Sequence, residues 1–315
     1  MIFYFLFFIL ISFSIAEDYG DIFIDTLLGD ASYLNPILAS DSASASINSL
    51  IFNGLVKYDK DLNLIGDLAE KWEVRNNGKE IIFYLRKNVF WHDGKKFTSQ
   101  DVKFTYQKLV SPEIKTPYSS DFTLIKKCEI IDDYTIKFFY SEAFVPALES
   151  WGIGIIPKHI FDTDKYDFHR HPANRTPIGT GPYKFLKWVT DEKIELISNE
   201  DYFEGKPYIK KYVFRIIPDQ SIQFLELLNE SIDSMNLSAE QFFAYKEFFN
   251  NYNKFSYPSF SYTYLGFNLE HPIFKDKKVR KAVAYAINKD EIINGVLLGK
   301  AKKATGPFPP QSWAY

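Results

Sequence analysis

The chain has 315 residues, 46% of them hydrophobic, enough for a large core in one domain or two. Its net charge of −3 argues against a nucleic-acid or anionic-membrane partner. One cysteine, Cys128, excludes an intrachain disulfide and a CxxC metal site, and is read as a small buried hydrophobe.

Residues 1–16 carry no charged side chain, are too short to span a bilayer (about 20 residues are needed), and end in Ser14-Ile15-Ala16. A cleaved secretory signal is expected there. Alternation predicts a strand over 20–29, followed by irregular chain rich in Ser, Ala and Asp. Ile47, Leu50 and Ile51 then fall at helical spacing, with Gly54 as the expected C-cap. Three hairpins are predicted, turning at Asn76-Asn77-Gly78, Asp132-Asp133 and near Asp191-Glu192. Helices are expected at about 99–109, 143–150, 220–228 and 238–249, then in "DKKVRKAVAYAIN" and "KDEIINGVLLG", where Asn288 is the N-cap. Strands and helices are mixed without regular βαβ alternation, which predicts an α/β chain of mixed α+β type.

Two clusters invite a chemical reading. Trp91-His92-Asp93 ends an alternating run and is followed by Gly94 and by Thr98-Ser99-Gln100-Asp101, the spacing of a capping box. A catalytic dyad needs a nucleophile and an orienting group in reach, so the stretch is read as strand, turn and capped helix. His169-Arg170-His171, with Asp162, Asp164 and Asp167 nearby, could bind a divalent metal; it is read as a solvated loop, with no metal assigned. No Gly-x-Ser-x-Gly, His-Glu-x-x-His or Gly-x-Gly-x-x-Gly occurs, so no enzyme is expected. Aromatic residues make up 18%, with clusters at 255–268 and 307–315. Such rings suit strand packing and the recognition of small ligands.

Four motifs in order resemble one family. They are "LIGDLAEKWEV" (64–74), "IIFYLRKNVFWHDGKKFTSQDVKFTYQKL" (81–109), "PIGTGPYKFLKW" (177–188) and "YLGFNLEHPIFKDKKVRKAVAYAINKDEIINGVLLGKA" (264–301). The chain is similar to the extracytoplasmic solute-binding proteins of peptide/nickel-type ABC importers, family 5. The resemblance implies a type II periplasmic-binding-protein-like Venus flytrap. Residues 17–52 and 178–300 would form a discontinuous lobe I, 53–177 an inserted subdomain, and 301–315 the start of a second lobe, largely missing from a truncated chain. It further implies a monomeric, periplasmic component that binds di- or oligopeptides without a cofactor. It would pass them to an ABC permease with its ATPase. Nickel, metallophore or oligosaccharide binding is the alternative within the family, and an exported hydrolase the alternative outside it. By position, the resemblance points to Ser40, Asp41, Ser42, Tyr118, Phe267, Asn268, Phe308 and Trp313 as ligand contacts, with Phe267-Asn268 on a strand that crosses between lobes.

Overall fold

The computed structural model describes residues 20–61, 63–245, 247–255 and 262–306. They separate into a unit that ends at Met235 and one that begins at Asn236.

The first unit is built on two four-stranded sheets. Strand β1 (Gly20–Leu27) is followed by helix α1 (Ser42–Ile51), the short pair β2 (Val56–Tyr58) and β3 (Leu64–Gly66), and the hairpin β4 (Ala69–Arg75) and β5 (Glu80–Leu85). That hairpin turns where predicted: Asn76, Asn77 and Gly78 all have positive φ, a conformation asparagine tolerates better than other side chains. Helix α2 (Ser99–Leu109) leads to a second hairpin, β6 (Ile125–Asp132) and β7 (Thr135–Tyr140), which completes the sheet β4-β5-β7-β6. Trp151 is fully buried in the core of this half, 4.2 Å from the ring of Phe138, 5.1 Å from Phe122 and 5.8 Å from Phe83. Its indole donates to the Tyr140 hydroxyl at 3.2 Å. In this half of the unit aromatic rings are thus used in packing.

After the short helix α3 (Lys158–Phe161), the third hairpin β8 (Tyr183–Val189) and β9 (Lys193–Ser198) joins β10 (Ile209–Ile216) and β1 in the sheet β1-β10-β9-β8. Strand β1 runs parallel to β10, Phe23 opposite Tyr212 and Leu27 opposite Ile216. Helix α4 (Gln220–Leu228) closes the unit, capped by Asp219, whose carboxylate accepts from the Ser221 and Ile222 amides.

The second unit holds α5 (Ala239–Ala244), α6 (Pro272–Lys275), α7 (Lys277–Ala286) and α8 (Lys289–Glu291), which runs into a π-helical turn at Ile292–Val296. Asn288 caps α8 as expected, accepting from the Asp290 and Glu291 amides.

Several expectations are corrected. Phe52, not Gly54, caps α1. Gly54 is needed for close approach, since a Cβ there would lie 2.6 Å from the Gly152 carbonyl oxygen. The helix expected at 143–150 is two 3-10 turns, Val145–Ala147 and Glu149–Gly152, the first carrying Pro146, which supplies no amide to a ladder. The helix expected over 238–249 ends at Ala244, and Phe248–Asn251 is a 3-10 turn. Residues 262–268, where Phe267 and Asn268 were expected on a strand, have no regular structure. Cys128 is half-buried rather than enclosed, and burial pushes its thiol up to about 12.

Candidate functional site

The loop that leaves β1 is held by asparagine pairing. The side-chain amide of Asn35, fully buried, donates to Asn174 Oδ1 at 2.9 Å, and its backbone carbonyl accepts from the amides of Leu38 and Ala39. This fixes Ala39, whose carbonyl accepts from the Tyr118 hydroxyl at 2.8 Å. Burial raises the Tyr118 pKa, and the nearby Asp41 charge adds to the shift. Tyr118 and the Ser40–Ser42 tip are therefore neighbours in the fold although far apart in sequence.

Within that tip, Ser40 and Ser42 are exposed and Asp41 is the N-cap of α1. The Asp41 carboxylate accepts from the Ser44 amide and hydroxyl, both at 2.7 Å, and from the Ser32 hydroxyl. Burial alone would raise its pKa; the Ser32 and Ser44 hydrogen bonds outweigh it and hold the carboxyl below its ordinary value. Asp41 is thus an ion kept at the head of a helix, where the dipole favours a negative charge. Ser40 and Ser42 are exposed beside it, and Tyr118 is half-buried.

Phe267 and Asn268 lie in the second unit. Phe267 packs on Phe274 with ring centroids 5.2 Å apart, and Asn268 Oδ1 accepts from the Glu270 amide at 3.0 Å. Phe308 and Trp313 lie outside the described residues.

The conspicuous histidines serve structure. His92 Nδ1 accepts from the Gly179 amide at 3.1 Å, so Nε2 carries the proton and donates to the Gly181 carbonyl at 3.0 Å. Burial lowers the His92 pKa to about 4, which keeps the ring neutral. Asp93 does not pair with it; its carboxylate meets His159 Nε2 at 2.8 Å. The capping box forms as predicted: Thr98 Oγ1 accepts from the Gln100 amide, and the Asp101 carboxylate reaches back to the Thr98 amide at 3.0 Å. Asp101 also accepts from the Lys158 amide at the start of α3. His169 Nε2 accepts from the Lys115 amide, and His171 Nδ1 from the Ala173 amide. Among the described residues no three His, Cys, Asp or Glu side chains gather as a metal site.

Sequence reasoning missed a buried polar chain beside the Gly179-Thr180-Gly181 loop. Thr180 Oγ1 donates to Asn53 Oδ1 at 3.0 Å, and the Asn53 amide donates to the Asp67 carboxylate and the Tyr202 hydroxyl. The signal available was the pair of glycines. A Cβ at Gly179 would lie 1.8 Å from the Ile51 carbonyl oxygen, so only glycine lets the loop pack on the end of α1.

Residues 63–315 match the family "Bacterial extracellular solute-binding proteins, family 5 Middle". The chain belongs to that family. The oligopeptide-binding protein AppA of Bacillus subtilis is 33% identical over 94% of this chain and 55% of its own length. The dipeptide-binding protein of Escherichia coli is 29% identical over 91% of this chain and 58% of its own. Among solved structures, AppA in complex with a nonapeptide superposes with a TM-score of 0.88 at 32% identity, covering 95% of this chain and 60% of that one. NikZ of Campylobacter jejuni in complex with Ni(L-His) gives 0.85 at 31%, covering 94% and 59%. The family 5 chain described here therefore spans somewhat over half the length of these relatives. No helix among its described residues is long and apolar enough to cross a membrane.

Proposed function

We propose that the protein is the extracytoplasmic solute-binding component of an ABC importer, that its solute is a short peptide, and that it hands the peptide to a membrane permease driven by an ATPase. The observation that carries this reading is the 33% identity to an oligopeptide-binding protein over nearly the whole chain. In this reading residues 1–16 are a secretory signal and the mature protein is periplasmic and monomeric. Residues 17–52 and 178–300 belong to lobe I, 53–177 to an inserted subdomain, and 301–315 to the start of a second lobe. The separate sheets β1-β10-β9-β8 and β4-β5-β7-β6 support the division between lobe I and the insert.

The peptide lies against Ser40 and Ser42, with the Tyr118 ring beside it and Asp41 ordering the tip from beneath. Phe267, Asn268, Phe308 and Trp313 are kept as proposed ligand contacts on the family resemblance alone. Backbone hydrogen bonding tolerates many side chains, and closure of lobes around the solute needs no covalent chemistry. Calorimetry of the purified protein against short peptides of mixed sequence tests the reading. Saturable heat with a Kd of about 10 μM or tighter is expected, roughly −7 kcal/mol. Absence of binding across dipeptides to nonapeptides, with hydrolysis of any of them, would overturn it.

A further inference from the structure

In the His169-Arg170-His171 stretch each imidazole accepts a hydrogen bond from a backbone amide, which needs an unprotonated ring nitrogen. The His169 bond joins two distant stretches of chain. Its Nε2 accepts from the Lys115 amide at 3.2 Å, so the ring proton sits on Nδ1. Lys115 is on the loop that carries Tyr118. The Tyr118 amide donates to Thr116 Oγ1 at 3.2 Å, and its hydroxyl donates to the Ala39 carbonyl at 2.8 Å. On the other side, the His169 carbonyl accepts from the buried Asn174 side-chain amide at 3.1 Å, and Asn174 Oδ1 accepts from the Asn35 side-chain amide at 2.9 Å. The Asn35 carbonyl accepts from the Ala39 amide at 3.0 Å. The bonds therefore form a closed circuit: Ala39, Asn35, Asn174, His169, Lys115, the Thr116–Tyr118 turn and Ala39 again. Of the residue types in it, histidine is the one whose side chain changes charge between pH 5 and 8.

We propose that His169 is a positioning residue for solute binding: its neutral ring holds the Tyr118 loop beside the Ser40–Ser42 tip, and a proton on Nε2 releases that loop and lowers the affinity for solute. The inference rests on the peptide-binding reading. A protonated ring carries N–H on both nitrogens, so Nε2 would turn a donor toward the Lys115 donor. The charged groups on the stretches that meet at the ring are Asp167 and Arg170 on its own turn, Glu113 and Lys115 on the loop opposite, and Lys108, whose ammonium stands 5.7 Å from the Phe168 ring. Asp167 Oδ1 lies 3.8 Å from His169 Nδ1 and favours the charged ring. It also accepts from the His169 and Arg170 amides at 3.0 and 3.3 Å, so the turn stays in place when the ring is charged. His171 makes its bond within its own turn, to the Ala173 amide, and burial moves its titration to lower pH. Asp41 is held ionised and Tyr118 held neutral through the same range.

The test compares the full chain with His169→Gln and His169→Ala between about pH 7 and pH 5.5, the range in which histidine takes up its proton. Glutamine keeps an acceptor at the reach of Nε2 and has no titratable group, so it should preserve the bond and remove its pH dependence. Without solute, the hydrogen-exchange protection factor of the Lys115 amide should fall by about fivefold across this range in wild type, the worth of one hydrogen bond, and stay constant in His169→Gln. In calorimetry with trialanine, wild type should lose about fivefold in affinity from neutral to acid pH. His169→Gln should hold its neutral affinity throughout, and His169→Ala should show the weakened value at both ends. Equal pH profiles in wild type and His169→Gln, or wild-type affinity at neutral pH in His169→Ala, would overturn the positioning role and leave the peptide reading standing. If the Lys115 amide titrates as expected and trialanine binds at neither pH, the positioning role is overturned, and the peptide reading falls with it only when dipeptides to nonapeptides also fail to bind.

Discussion

His92 joins two distant stretches of chain through both ring nitrogens, and this has a pH signature. Its pKa falls from 6.5 when unfolded to about 4 when folded, so the unfolded chain binds more protons between those values. Stability from this residue is therefore full above about pH 6.5 and is lost as the pH falls toward 4, by roughly 3 kcal/mol at the acid end. Urea melts of wild type and His92→Ala across pH 7 to 4 should converge. At neutral pH the variant should be less stable by about 2–4 kcal/mol, since the Gly179 amide and the Gly181 carbonyl lose a partner. Parallel pH profiles would show that the ring does not titrate in this way. Asp41 is the second informative residue. Asp41→Ala should lower stability by about 1 kcal/mol through the lost cap, whereas Asp41→Asn should stay close to wild type because asparagine caps equally well. If Asp41→Asn abolished peptide binding without changing the melt, the carboxylate would be a direct ligand contact rather than a cap.

At the scale of elements, what could be read from sequence was what is local. Each hairpin is signalled by alternation and by a turn a few residues long, and α2 by a capping box of four residues, so all four appear where expected. Strand β10 was not anticipated. It has the β-rich run "IKKYVFRI", yet its partner β1 lies almost the whole unit away in sequence, and no turn signal announces a parallel pairing. The helix-to-3-10 corrections have the same origin, because a run of aromatic and small residues does not report the core that bends it. At the candidate site, the neighbourhood of Tyr118 and Ser40–Ser42 was legible only through the family resemblance. The Gly179 loop yields an element-level prediction. Gly179→Ala forces a Cβ against the Ile51 carbonyl and should destabilise by about 3 kcal/mol or more. A thermal midpoint within 2 °C of wild type, a shift worth about 1 kcal/mol or less in a unit of this size, would mean that the loop and the end of α1 can separate freely.

At the scale of the molecule, the distribution of buried apolar side chains decides what can fold alone. Every residue of the hydrophobic core cluster, from Leu27 to Phe214, lies before Met235, whereas no helix from α5 to α8 has a buried residue. Exposed apolar residues such as Leu265, Ile273, Tyr285 and Val296 concentrate in the second unit. Burial of apolar area is the main favourable term in folding, so the first unit should hold nearly all of the chain's intrinsic stability. A protein of residues 20–235 should then unfold in one cooperative transition and keep the near-ultraviolet signal of Trp151 and its ring neighbours. The longer chain should bind more hydrophobic dye than the truncated one, because the exposed side chains of the second unit go with the deletion. Loss of cooperativity on truncation at Met235 would mean that residues beyond it contribute to the core, and the division of stability between the two units would have to be redrawn.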